Sequence, residues 1–218
     1  MQKLPLLLRA ALIGIAWTAF TFLTSWSVFG GESDEPVYIV EIANFSCPYC
    51  LKMETVLPQI QQATEETGGK FVFAPISWGE QSSWRDRVYY AARNQGEAVA
   101  EAVRRSLFSA VQDLMLPLED LHQAIVWLKQ DVKNVSIDFD RLMQDARSEQ
   151  ALESHNRGMR LAANAGVDKL PAYLFIKNAD VVAILSRSQS LSTATALKLA
   201  VLEKIKELSN QETMTHAR

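Results

Sequence analysis

The chain has 218 residues, 48% hydrophobic and 22% charged, with two cysteines, three histidines and a net charge of −3. That profile excludes a disordered, collagenous, disulfide-stapled or multi-span membrane protein and fits one or two small folded domains. With 22 basic residues against 25 acidic ones and an isoelectric point near 5.7, it has no cation surplus for a phosphate backbone, so nucleic acid is not an expected partner.

The charges are unevenly spread. Residues 1–31 hold only Lys3 and Arg9, and with those two cations set aside the remainder stands at −5. Ala10 to Gly31 is an uncharged run of 22 residues. As a helix it would reach roughly 33 Å, the hydrocarbon thickness of a bilayer. Cations precede the run and Glu32, Asp34 and Glu35 follow it, so the body is expected to be periplasmic or otherwise extracytoplasmic. Ser25-Trp26-Ser27 and Val28-Phe29-Gly30 are acceptable cleavage sites, but the run is long and Trp17 and Trp26 suit an interface. A helix retained as an inner-membrane anchor is therefore favoured over a cleaved signal. Either fate places the body where disulfides persist.

Val37 to Phe45 is a nearly continuous apolar, β-branched run, which predicts a strand buried on both faces. Ser46-Cys47-Pro48 starts a helix, with proline tolerated in its first turn, and this helix is expected to run to Gly68-Gly69 with a kink near Pro58. Lys70 to Trp78 reads as a second strand. From Ser82 to about Ala165 apolar residues recur at helical spacing, as in Trp84, Val88, Ala91 and Ala92, or Leu121, Ala124, Ile125 and Leu128. Four or five helices are expected there, punctuated by Gly96 and Pro117. Pro171 to Lys177 and Val181 to Leu185 predict a hairpin across Asn178-Ala179-Asp180. Leu191 to Leu208 predicts a closing amphipathic helix, with a frayed tail after Ser209. The order is α/β with a helical insertion. The expected division is residues 1–31 as signal or anchor, 32–78 plus 167–218 as an α/β domain, and 79–166 as an inserted helical domain.

The only cysteines form Cys47-Pro48-Tyr49-Cys50, a spacing that chance would give two cysteines about once in 100 chains of this length. At a strand-to-helix junction Cys47 occupies the helix N-terminus, where free N–H groups and the dipole stabilise a thiolate. Cys50 lies one turn further in, so Cys47 suits attack on a disulfide and Cys50 its resolution. Metal binding is not expected, because His122, His155 and His216 are isolated from one another and from the cysteines. A haem-attachment motif would need histidine where Leu51 stands. The implied chemistry needs no cofactor beyond a redox-active Cys47–Cys50 disulfide.

Glu41 interrupts the first strand. If both faces are buried, desolvation raises its pKa and allows it to exchange a proton with the resolving thiol; an exposed strand edge is the competing reading. Pro171 follows Leu170 in a loop that would face the cysteines, and a cis bond there would leave backbone groups free for a substrate; an ordinary trans proline is the alternative. His155 shares a helical face with Leu152, Met159 and Ala162 and reads as a packed histidine. Trp78, Trp84, Tyr89 and Tyr90 read as core.

Glu41 to Cys50, the helical block and Gly166 to Phe175 together resemble the DsbA-like family of exported thiol:disulfide oxidoreductases, over about residues 36 to 208. The resemblance implies a thioredoxin fold with an inserted helical domain, an exposed nucleophile at Cys47, a resolving Cys50, a buried glutamate at Glu41 and a cis-proline at Pro171. It implies a substrate peptide laid against Pro48, Tyr49 and Leu170-Pro171, exported cysteine-containing proteins as substrates, and a membrane redox partner, either a quinone-linked reoxidase or a reductant donor. A monomer is expected, since only Gly31 to Glu35 separates the apolar run from the first strand. Pro48-Tyr49 stands where the strongest oxidants of the family carry Pro-His, and Asp168-Lys169-Leu170 departs from the usual residues before the proline; both bear on the redox potential. An oxidase is the favoured expectation. A membrane-tethered reductase or isomerase and a non-catalytic tethered binding or assembly factor remain open beside it.

Overall fold

The computed structural model describes residues 35–216, with side chains through residue 210. The expected N-terminal signal or anchor lies outside the described residues, and among those described no helix is long and apolar enough to cross a membrane.

Strand β1 (Tyr38–Ala43) is central in a four-stranded sheet of order β2-β1-β3-β4. It pairs in parallel with β2 (Lys70–Pro75) and antiparallel with β3 (Ala172–Lys177), so every residue from Ile39 to Ala43 is buried, as a doubly covered strand requires. Strand β4 (Asp180–Ser186) pairs with β3 through a two-residue turn, with Asn178 and Ala179 at φ 52° and 66°. Two successive positive φ values make a type I′ turn, which matches strand twist but strains an alanine. Ala179→Gly is expected to raise stability by about 1 kcal/mol, measured by urea unfolding.

After β1 the helix expected to run unbroken is two helices, α1 (Pro48–Glu54) and α2 (Leu57–Glu66). The kink is a full break because Pro58 has no N–H for the carbonyl of Glu54. β2 ends at Pro75, before the predicted Trp78, and Trp78 is 40% exposed, contrary to its reading as core. Trp84 is half-buried, whereas Tyr89 and Tyr90 are buried.

The helical block comprises α3 (Trp84–Arg93), α4 (Glu97–Phe108) with a π-turn at Ser109–Asp113, α5 (Leu121–Asp131), α6 (Phe139–Arg147) and α7 (Glu149–Asn164). Its core is continuous with one face of the sheet: Val40, Ile42, Phe45 and Phe73 join Val88, Val103, Leu107 and Phe108. The other face, Ile39, Tyr173 and Phe175, packs on Met53, Leu57 and Ile60 and on α8 (Ala194–His216) through Leu197, Val201 and Ile205. Residues expected to fray after Ser209 continue α8 to His216, since no proline or glycine stops the helix. His155 on α7 is buried, with Nδ1 3.1 Å from Asp86 Oδ2 on α3. Asp86 Oδ2 accepts a hydrogen bond from the Ser77 hydroxyl at 2.5 Å, tying the exit of β2 to α3.

Candidate active site

The topology brings the two halves of the site together. β1 leads into the cysteine turn, and the antiparallel register places Ile42 opposite Ala172, so Cys47 just beyond the end of β1 meets the loop just before β3. Cys47 Sγ lies 3.8 Å from the Leu170 carbonyl oxygen, and the Leu170–Pro171 bond is cis. Asn44 shapes the turn from within: its Oδ1 accepts from Ser46 N at 2.7 Å, its carbonyl accepts from Cys47 N at 2.9 Å, and its Nδ2 donates to the Ile76 carbonyl at 2.6 Å. The helical block braces the same turn, with Gln112 Nε2 donating to the Phe45 carbonyl at 2.7 Å and Arg85 Nη1 donating to Ser46 Oγ at 2.9 Å.

Cys47 caps α1, with Pro48 at the helix start, and its Sγ accepts from Cys50 N at 3.4 Å. Both cysteines are thiols here, Cys47 half-buried and Cys50 buried. The hydrogen bond from the Cys50 side chain, opposed by burial and assisted by backbone N–H groups and the charge of Arg187, holds the Cys47 thiol at about 6, well below an ordinary thiol. Burial and the neighbouring Cys47 push Cys50 well up. Pro48 is exposed, Tyr49 half-buried, and Leu170 and Pro171 buried.

Glu41 is 1% exposed, so the exposed-edge reading falls. It sits between Phe73 on β2 and Tyr173 on β3. Its Oε2 and the Tyr173 hydroxyl each lack a well-formed hydrogen bond, although the two groups face each other. Burial first, then the charge of Glu54, raises Glu41 to about 8. It is therefore a neutral acid at neutral pH, close enough for its charge to act on Cys50.

Because its folded value exceeds the ordinary 4.5, an ionised Glu41 costs the fold stability. The cost is absent below that value, grows as pH rises toward 8 and is constant above. Glu41→Gln is expected to unfold with the wild type at about pH 4 and to be more stable by on the order of 4 kcal/mol at about pH 9. The same variant should lose the step near pH 8 in the rate at which Cys50 resolves a mixed disulfide; matching pH profiles would remove Glu41 from proton exchange.

Sequence reasoning missed three charged groups around the cysteines. Glu54 on α1, half-buried, and Arg104 on α4, buried, form an ion pair, Arg104 Nε lying 3.0 and 3.1 Å from the two carboxylate oxygens. Arg104, only 2% exposed, also lies 5.3 Å from the Phe73 ring centroid. Its charge pulls Glu41 down while Glu54 pushes it up. The signal was present: Cys47, Cys50 and Glu54 fall at i, i+3 and i+7 on one helix face, and Arg104 lies on the apolar face of α4 with Ala100 and Leu107. The third group, Arg187, carried no sequence signal; it follows β4 and stacks over Tyr49, its Cζ 3.5 Å from the ring centroid. Among the described residues no cluster of three or more potential metal ligands is present.

No protein-family model matches the sequence, and no curated protein matches it. Among solved structures, the chain is similar to the DsbA of Pseudomonas aeruginosa at 18% identity and a TM-score of 0.63, covering 82% of this chain and 88% of that one. It is similar to the oxidoreductase DsbA of Xylella fastidiosa at 16% identity and a TM-score of 0.61, covering 82% and 87%. The oxidoreductase NmDsbA1 of Neisseria meningitidis aligns at 14% identity and a TM-score of 0.59, covering 82% and 88%. Likeness at such identities speaks to architecture, and the fold of this chain is the DsbA-type thioredoxin fold.

Proposed function

We propose that the protein is an extracytoplasmic thiol:disulfide oxidoreductase that donates its Cys47–Cys50 disulfide to exported proteins. The observation that carries this reading is the asymmetry of the pair: a half-exposed thiol held at about 6 at a helix N-terminus, beside a buried thiol pushed well up. Stabilising the Cys47 thiolate stabilises the reduced enzyme, and so makes the oxidised enzyme the better disulfide donor. The same asymmetry favours an oxidase over a reductase. Intact, differentiated thiols also speak against a purely binding role.

In the reaction a substrate thiolate attacks Cys47 Sγ, the Cys47–Cys50 bond breaks, and Cys50 leaves with the electron pair. Cys50 then takes up a proton, and neutral Glu41, whose charge acts on Cys50, is the donor in this reading. A second substrate thiolate attacks the substrate sulfur of the mixed disulfide, and Cys47 departs as its stabilised thiolate. The substrate loses two electrons and the enzyme disulfide gains them. Tyr49, Pro48 and the Leu170-Pro171 backbone form the platform for an extended substrate segment. A membrane partner, reached through the N-terminal anchor or from free solution, restores the disulfide.

The test is the reduction potential of the pair together with its redox state in cells, read by thiol alkylation. A potential well above that of structural disulfides, with mostly oxidised protein, is the expected result. Mostly reduced protein at a low potential would make the protein a reductase.

A further inference from the structure

Beside Cys47 the surface carries a charge, Arg187, that also helps to lower the Cys47 thiol. The register of β3 and β4 pairs Ala172 with Ser186, so Arg187 lies level with Pro171 at the edge of the site. Its guanidinium covers one part of the Tyr49 ring, and Lys52, one turn along α1, places its Nζ 5.0 Å from the centroid of the same ring. Tyr49 is thus held by two cations. Neither Lys52 nor Arg187 forms an ion pair with a carboxylate among the described residues. Tyr49, Arg187 and Pro171, with Met53, Leu191 and Leu197, line a dent of about 10 Å³, room for one water and no more. On the loop leading to Pro171, exposed Asp168 and Lys169 offset each other. The rim of the reactive sulfur is therefore cationic on a chain whose net charge is −3.

Resting on the thiol-exchange reading above, we propose that Arg187, with Lys52 as the lesser contributor, selects substrate segments that carry an acidic residue next to the reacting cysteine. The guanidinium is the anchor because it is fixed against Tyr49 and pays little to be ordered. Its state also changes through the cycle. In the oxidised enzyme Cys47 bears no charge and Arg187 is available to the incoming carboxylate. In the reduced enzyme the Cys47 thiolate draws on the same positive charge, which weakens the hold on product.

The experiment uses the oxidised full-length protein and three dithiol peptides identical except for Glu, Gln or Lys beside the reacting cysteine, with dithiothreitol as a small uncharged reductant. The wild type is expected to react about fivefold to tenfold faster with the Glu peptide than with the Lys peptide at low salt, the ratio shrinking as salt rises. Arg187→Gln should collapse that ratio, and Arg187→Lys should restore part of it. Comparing ratios between variants cancels the effect of the peptide's own charge on its thiol, and any general effect on Cys47 reactivity. An equal Glu-to-Lys ratio in wild type and Arg187→Gln overturns the selectivity while leaving the exchange reading intact. Failure to oxidise dithiothreitol faster than a simple aliphatic disulfide overturns the exchange reading and the selectivity with it.

Discussion

Cys47→Ala is expected to abolish disulfide exchange, whereas Cys50→Ala should convert the protein into a trap that holds its substrates as mixed disulfides on Cys47. The two thiols differ only in surroundings. Cys47 is half-exposed at the cap of α1, and Cys50 one turn later is sealed from solvent. A substrate sulfur reaches the first and not the second, so capture is confined to Cys47 and release needs either a second substrate thiol or Cys50. With its thiol near 6, Cys47 is about 90% ionised at neutral pH, against about 1% for an ordinary thiol. Alkylation of the reduced protein by iodoacetamide should accordingly rise through pH 6 and level off, in place of the usual rise near 9. Stability should follow the same group. The depressed value contributes stability to the reduced fold that is fully present above the ordinary 9 and is lost as pH falls through 6. The gap in Tm between reduced and oxidised protein is expected to narrow over that window. Adducts found on Cys50 in Cys47→Ala, with none on Cys47 in Cys50→Ala, would reverse the assignment.

The second large effect concerns Arg104. Arg104→Met should destabilise the protein by about 3 kcal/mol, because it strands the half-buried carboxylate of Glu54 without its buried partner. The pair itself is worth far less than that cost, so adding Glu54→Gln to Arg104→Met should recover most of the lost stability, measured by urea unfolding. A packing role alone predicts no such recovery. The site should respond too. Arg104 lowers the pKa of Glu41, so removing the guanidinium pushes the carboxyl higher still and moves the pH step in Cys50 resolution upward. An arginine from the helical block thus lowers the pKa of an acid in the sheet.

How much of this was legible beforehand depended on the reach of each interaction. Patterning placed β1, the hairpin and the helical block because burial imposes its own period on local sequence. Helix ends were less legible: Pro58 marked a disturbance, but whether the chain kinks or breaks depends on where α2 must pack. Trp78 was read as core from its type alone and is largely in solvent, because β2 stops three residues short of it. Glu41 was noticed as a charge in an apolar run, yet only the covering of both sheet faces decides that it is buried.

The sequence by itself determined that Cys47 caps a helix at a strand-to-helix junction with Cys50 one turn further in, because a helix cap is a local structure made by neighbouring residues. It also marked Pro171 as the residue to watch. Only the tertiary structure decided that Leu170 lies against Cys47 across 123 residues of chain, that Arg104 reaches Glu54 from another layer, and that Arg187 stacks on Tyr49. Those contacts arise from strand register and from packing between elements distant in sequence, and no periodicity within a single segment encodes them.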